Sequence, residues 1–558
     1  MKSIAEYLSG KTLFVTGATG FLAKGFVEKI LFSAPEVARI YLLIRPRSRS
    51  NGQLVSDVER LETEILQSRA FERLRERWGG AFPAVMADKL VAVAGDLTED
   101  GLGIASDQRE RLVEDVDFVV NFAGTVVFDE PIDSALEQNA MGAARVVAFA
   151  KACRKAALVH VSTAYVSGKR TGRIPEAPFP QDRSVSDLIN GSAAGFDLQD
   201  EIDAIRVFTR EVEEASRKPD LEAAFLKHLR RQDRGKRVTD YRKAHQVEAL
   251  RQRWIRKQLV DEGMRRARRH GWNDSYTLTK AMGEQLIVKS RGDLPTAIVR
   301  PSIVESSLED PEPGWVEDLK VADPLIVHYG KGRLSNFPID PGIVLDIIPV
   351  DVLNNAVTAV LPQVHGSEEM KVYHVASGSQ NPVLASEMVE LVYGYFKSSP
   401  MHDRSGRPID VRPWQFISQR RFRCLVALKY KLPLSMLKAA VDYLPARWVS
   451  RYRRRVTGME AVLVRLESLV DTYCGYTHLD CEFETENTRR LYQALNPEDQ
   501  KVFNFDVTRI NWPEYIQEIH IPGLKHHVLK EGDGAVSVVA ANTDGPHVRF
   551  GVQDRHQS

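Results

Sequence analysis

The chain has 558 residues, a hydrophobic fraction of 43%, a charged fraction of 27% and a formal net charge of +1. That length predicts two or three domains of a soluble globular protein, and the balanced charge gives no ground for a nucleic-acid partner. No stretch reaches the about 18–20 unbroken apolar residues of a membrane span, the opening MKSIAEYLSGK lacks the apolar core of a secretory signal, and Cys153, Cys424, Cys474 and Cys481 fall in no metal-ligand spacing, so a cytoplasmic protein with reduced thiols and no metal is expected.

The first half alternates short apolar runs with helical stretches. TLFVT is strand-like and ends at a turn containing Gly17 and Gly20, after which FLAKGFVEKILF carries apolar residues at helical spacing. Strand, glycine turn and helix form the context in which unpaired N–H groups at a helix N-terminus receive a pyrophosphate. Ala23 stands where a third glycine would, and is small enough for close packing of helix on strand. The second run, RIYLLIR, leads into Arg45, Arg47 and Arg49 with no carboxylate to bond a ribose hydroxyl; guanidinium groups there suit the 2′-phosphate of NADP. Asp96 follows the third run, KLVAVAGDL, where a carboxylate can accept from the adenine amino group. VDFVVNFAG and LVHVSTAYV then bring NFAG (121–124), Ser162 and Thr163 to strand ends, with Asn139 in the helical stretch between them, and TAIVRPSIV is a further run. The pattern predicts an α/β fold, a doubly wound Rossmann-type parallel sheet covered on both faces.

Between about 167 and 270 the rhythm breaks into long polar helical stretches, and a helical insertion is expected at about 185–270. Its basic run starts at Lys227, passes Arg251, Arg253 and Arg256, and closes with Arg265, Arg266, Arg268 and Arg269. Two readings stand: a solvated helical hairpin, or a basic lid over an anionic ligand or membrane headgroups. From about 375 the pattern is mainly helical. There RYRRRVTGMEAVLVRL reads as core packing or as a shallow membrane contact, and from about 534 the chain reads as a polar tail. The expected organisation is a dinucleotide-binding domain over 1–375, a helical C-terminal domain over 376–533 and a flexible tail over 534–558.

In NDSYTLTKAMGEQL, Tyr276 and Lys280 are four apart and share a helix face. An ammonium beside a phenol favours phenolate and lowers its pKa from about 10. With a hydroxyl from Ser162 or Thr163 at a strand end, this pair can polarise and protonate a substrate carbonyl oxygen.

TGATGFLA, NFAG, STAYVSG and YTLTK together resemble the extended short-chain dehydrogenase/reductase superfamily. FDEPIDSALEQNAMGA, SYTLTKAMGEQL, IVRPSIVESSLEDPEPGW, IIPVDVLNNAV, NTRRLYQAL and FNFDVTRINWPEYI narrow the resemblance to the alcohol-forming fatty acyl-CoA reductases of the bacterial kind, over roughly residues 10–530. The resemblance implies NADPH-dependent reduction of a long-chain acyl-CoA to the alcohol through a fatty aldehyde. It implies catalytic roles for Thr163, Tyr276 and Lys280 with Ser162 beside them. For the cofactor it implies Thr16, Gly17, Thr19, Gly20, Phe21, Leu22, Arg45, Arg47, Asp96, Leu97, Asn121, Ala123, Gly124, Tyr276, Lys280, Pro301 and Ile303. Coenzyme A carries several phosphate charges, which favours the lid reading of the basic insertion; a peripheral membrane contact and an oligomer are left open. Alternatives are a reductase that stops at the aldehyde, an enzyme acting on a nucleotide sugar, and a dinucleotide sensor without turnover. Ala23 in place of glycine and the long separation of Thr163 from Tyr276 depart from the superfamily pattern.

Overall fold

The computed structural model describes residues 2–530 apart from 50–51, 192–194, 233–239, 366–368, 404 and most of 444–472. The predicted tail and most of the RYRRRVTGMEAVLVRL segment lie outside the described residues. Seven parallel strands form one sheet: β1 Thr12–Thr16, β2 Arg39–Ile44, β3 Leu90–Ala94, β4 Phe118–Asn121, β5 Ala157–Val161, β6 Thr296–Pro301 and β7 Lys371–Val375. Their spatial order is β3-β2-β1-β4-β5-β6-β7, with Thr16 opposite Asn121 and Val161 opposite Val299. The chain reverses its direction of travel across the sheet between β1 and β4, so the strand ends splay into a crevice there.

The strands read as continuous apolar runs because both faces are covered. Leu13, Val15, Ile40, Leu42 and Val120 pack on one side with α1 (Phe21–Ser33), whereas Phe14, Tyr41, Val119 and Leu158 pack on the other with α2 (Gly142–Ala152). The seventh strand, KVYHV, was not among the runs expected from the sequence. It is an edge strand that pairs on one side only, with Lys371 exposed at its start.

The predicted insertion is helical: α3 Leu198–Ser216, α4 Pro219–Gln232 and α5 Asp240–Arg269 follow one another before α6, Ser275–Ser290. Leu198, Ile202, Ile205, Leu259 and Ala267 pack on Leu278, Ala281 and Met282 of α6.

Beyond β6 come α7 (Asp323–Gly330), α8 (Val350–Val364), α9 (Ala385–Ser398), α10 (Gln419–Val426) and α11 (Leu432–Tyr443). The C-terminal segment shares the sheet's own core, since Phe503, Phe505, Trp512, Tyr515, Ile516 and Ile521 belong to the cluster containing Leu13 and Val15. Two features anchor it. The His520 ring sits between Ser306 Oγ, 2.9 Å from Nδ1, and Asp323 Oδ1, 3.1 Å from Nε2. Gly523 meets Gly314 backbone to backbone: a Cβ on Gly523 would lie 2.1 Å from the Gly314 carbonyl oxygen. Overpacking of this kind costs about 1–3 kcal/mol. Gly523→Val is expected to lower the melting temperature by several degrees, whereas Gly80→Ala, with open space around it, leaves it unchanged; equal melting temperatures for both variants would refute the anchoring role.

Candidate active site

A cleft of about 830 Å³ runs along the carboxyl ends of the strands. At one end is the turn after β1. Gly17 has φ +70°, and a Cβ there would lie 2.8 Å from the Ala123 nitrogen and 2.9 Å from the Phe122 carbonyl carbon. Only glycine fits both the conformation and the space. Gly20 caps α1 with extended backbone and no side-chain hydrogen bond, so the first-turn N–H groups stay open toward the cleft. Thr19, Phe21, Leu22 and Ala23 complete this wall. Gly25 has a different job: it packs against Trp315 and Asn354.

Two residues expected to bind cofactor lie one layer below. Thr16 Oγ donates to Asn121 Oδ1 at 2.5 Å, and Asn121 Oδ1 also accepts from the Ala123 N–H at 3.2 Å. Both side chains are buried beneath the cleft, where they tie the end of β1 to the end of β4. They shape the cradle and do not line it.

At the next strand ends stand Arg45, Asp96, Leu97 and Thr98. Arg45 lies 3.5 Å from Asp96 Oδ2. Burial works against the Asp96 charge, but hydrogen bonds from Thr98 and the Arg45 guanidinium outweigh it and hold the carboxyl below its usual range. Arg47 turns outward to Glu64, 2.9 Å away, and Arg49 to Glu59, 2.7 Å away; neither lines the cleft. Arg60, which sequence reasoning missed, takes the place expected of Arg47. It lines the cleft, grips Glu64 with two hydrogen bonds of 3.0 and 2.7 Å, and reaches within 3.4 Å of Thr19 Oγ. Its hydrogen bond holds Glu64 below the usual carboxylate range. Its only local signal is the four-residue spacing to Glu64; its approach to the cleft is tertiary.

At the other end, Thr163 follows β5 as the cap of a short turn, its Oγ accepting from the Tyr165 N–H at 3.3 Å. Tyr276 occupies the first turn of α6 and lines the cleft together with Thr163. Asp274 sets that helix start: its carboxylate accepts from the Thr277 N–H at 2.8 Å and the Thr277 hydroxyl at 2.9 Å. Lys280 lies one turn on, donating to the Val161 carbonyl at 2.9 Å. The expectation that Lys280 lowers the Tyr276 pKa is not met. Burial pushes the phenol up, Thr163 offsets part of the rise, and the Asp274 charge adds to it. Burial instead lowers Lys280 to about 8, against a partial restoring pull from Glu284. The Tyr276 phenol therefore keeps its proton near neutral pH.

Ser162 lines the cleft, and its buried Oγ has no protein partner among the described residues. Asn139 donates to Thr279 Oγ at 3.1 Å, but its buried Oδ1 has no partner either. That oxygen would lie 2.6 Å from a Cβ on Gly124, so the glycine of NFAG makes room for it. Pro301 and Ile303 line the same end.

The cleft has an aromatic roof that the sequence did not announce. Phe128 meets Tyr276, Tyr473 and Tyr476 with ring centroids 6.0, 6.1 and 5.4 Å apart, and Tyr165 meets Tyr476 at 5.2 Å. The Tyr476 hydroxyl donates to Asp274, so the C-terminal segment is bonded to the cap of α6. Beyond this roof lies a second, apolar chamber of about 90 Å³ lined by Ile326, Tyr329, Phe337, Met388, Val392 and Trp414. Phe337 and Tyr473, one lining each space, are 6.5 Å apart between centroids.

Among the described residues, no part of the basic insertion over 185–270 lines this cleft, so they form no lid over it. Several of its cations are consumed locally. Arg266 pairs with Glu201 and Glu262 at 2.9 and 2.7 Å, and Arg251 pairs with Glu248 at 2.6 Å, while Arg253 and Arg256 are exposed. The solvated hairpin is the reading the packing supports.

Comparison with known proteins agrees with this geometry. An NAD-binding family model described as "Male sterility protein" matches residues 15–357, and a second with the same description matches 441–531. The chain is 38% identical to "Probable fatty acyl-CoA reductase 5" of Arabidopsis thaliana over 94% of its own length and 99% of the relative's. It is 34% identical to the "Alcohol-forming fatty acyl-CoA reductase" of Simmondsia chinensis over 95% and 99%. Among solved structures, the terminal R domain from the myxalamid PKS-NRPS pathway shares the fold, with a TM-score of 0.50, 16% identity, and coverage of 93% and 92% of the two chains. A parallel sheet with a glycine cradle, a Thr–Tyr–Lys site and full-length kinship converge on one conclusion: the chain belongs to the fatty acyl-CoA reductase family.

Proposed function

We propose that the protein reduces long-chain fatty acyl-CoA to the fatty alcohol through the aldehyde, releasing coenzyme A and using NADPH for both steps. The observation that carries this reading is the convergence of Thr163, Tyr276 and Lys280 on one cleft, set between a glycine cradle and an apolar chamber. The residues fit the cofactor. A pyrophosphate suits the open N–H groups beside Gly17 and Gly20, the guanidinium groups of Arg45 and Arg60 suit a 2′-phosphate, and Lys280 stands where the nicotinamide ribose would reach. Bound NADPH supplies the hydride.

The chain's own residues govern the substrate oxygen. The Thr163 and Tyr276 hydroxyls support the negative charge that develops as the carbonyl carbon becomes tetrahedral. In the first reduction the resulting hemithioacetal collapses and the C–S bond breaks, releasing coenzyme A as thiolate, a fair leaving group since thiol pKa values are about 8.5. In the second, the aldehyde oxygen takes the Tyr276 proton as its carbon is reduced. Lys280 keeps its ammonium on the Val161 carbonyl one helical turn from Tyr276, where it can hold the nicotinamide ribose. The aromatic roof keeps water from the reacting carbon, and the apolar chamber takes part of the acyl chain, each buried CH₂ contributing about 0.8 kcal/mol. None of the described helices is long and apolar enough to cross a membrane; the reading places the reaction in the cytoplasm or at a lipid surface.

Three outcomes test this. Two NADPH consumed per coenzyme A released supports the alcohol; a ratio of one means that the enzyme stops at the aldehyde. Arg60→Ala should raise KM for NADPH about tenfold or more, as charge-assisted hydrogen bonds are worth about 1.5–3 kcal/mol. KM for NADH and the kinetics of Arg47→Ala should barely move, and an equal effect of Arg60→Ala on both cofactors would remove its phosphate role. The Lys280 cation is held below about pH 8 and lost above it. So kcat/KM should fall through that pH with a slope of about one decade per unit; a flat profile well into the alkaline range would contradict an essential Lys280 charge.

A further inference from the structure

Residues 419–443 form a helical segment in which α10 and α11 are joined by a wide turn over Ala427–Lys431. One stripe faces inward: Phe422, Val426 and Leu434 are buried and pack with Leu334 and Phe337. A second stripe faces out. Leu425, Leu428, Leu432 and Met436, recurring every three or four residues, are 45%, 63%, 49% and 64% exposed, with Leu437 beside them at 45%. Long apolar side chains exposed singly are ordinary, but a run of them along one helix marks an interaction surface. Residues 419–443 carry six cations, Arg420, Arg421, Arg423, Lys429, Lys431 and Lys438, against one carboxylate, Asp442, near the segment's end. An apolar stripe on a segment of strongly cationic balance complements an anionic lipid surface: the aliphatic side chains enter the acyl boundary while the cations meet headgroup phosphates.

We propose that residues 419–443 dock the enzyme on an anionic bilayer surface. The purpose, though not the contact itself, rests on the proposed function. Phe337, against which the inner stripe packs, also walls the apolar chamber, and the Phe337 and Phe422 rings are 6.1 Å apart. The docking segment thus packs behind one wall of the chamber assigned to the acyl chain, bringing that chamber near the phase into which a long-chain alcohol partitions. A second copy of the chain is the other occupant an apolar stripe could take, but six like charges on each of two facing surfaces would repel.

The test is cosedimentation of the full chain with vesicles of phosphatidylcholine, alone or mixed with phosphatidylserine, together with activity on a water-soluble short-chain acyl-CoA. The wild type is expected to sediment with the mixed vesicles and to stay in solution with phosphatidylcholine alone. The double variants Leu428→Gln/Met436→Gln and Arg420→Glu/Arg421→Glu should each weaken binding by about tenfold or more while keeping short-chain activity, which also shows that they fold. Wild-type protein that ignores the mixed vesicles, or variants that bind as the wild type does, would overturn the proposal. So would a wild-type dimer in solution that Leu428→Gln/Met436→Gln makes monomeric. Loss of short-chain activity by the wild type would instead count against the reductase reading, leaving the vesicle result to stand alone.

Discussion

Gly17 lies against the peptide joining Phe122 to Ala123, and no side chain fits between them. This approach is fixed from below by the Thr16–Asn121 hydrogen bond, which ties the ends of the two strands where the sheet changes direction. Everything downstream inherits its position from that contact. The open N–H groups of α1 face the crevice because the turn is pressed to its floor, and the Ser162–Thr163 strand end lies beside the same floor because β5 pairs with β4. A dinucleotide stretched across this crevice would have its phosphates at one end and its reactive ring near Tyr276.

The Tyr276 end of the cleft is held by a second constraint, the buried Asp274 carboxylate. It caps the helix that carries Tyr276 and Lys280, and it accepts from Tyr476 of the C-terminal segment. Burial pushes Asp274 up to about 6, so its charged form is carried at some cost near neutrality. That cost is offset by linking two parts of the chain 202 residues apart. This link helps hold Tyr473 and Tyr476 over the Tyr276 end of the cleft, where they meet Phe128.

Much of the fold and site was legible in the sequence. Alternating apolar runs fixed six of the seven strands, and the glycine turn, NFAG, Thr163, Tyr276 and Lys280 meet in one cleft. The misreadings share one cause: sequence spacing shows which residues follow a strand, not which way they point. Arg47 was placed correctly after β2 yet turns to Glu64, while Arg60, fifteen residues beyond Arg45, swings in to bond the Arg45 carbonyl. The Tyr276–Lys280 spacing is helical as expected, but the strand-end carbonyl of Val161 takes the lysine's proton donor, and burial rather than the ammonium sets the phenol. The basic insertion looked like a lid because its cations are visible in sequence, whereas partners such as Glu201 are reached only through tertiary packing. Tyr473 and Tyr476 carry no local signal at all.

The central claim is that one site delivers two hydrides to the same carbon of a thioester. Turnover of a long-chain acyl-CoA with NADPH fully deuterated at the nicotinamide C4, followed by mass analysis of the product, addresses it directly. The expected product is an alcohol carrying two deuterons on its first carbon. An aldehyde or alcohol carrying a single deuteron, or unlabelled product, would contradict it.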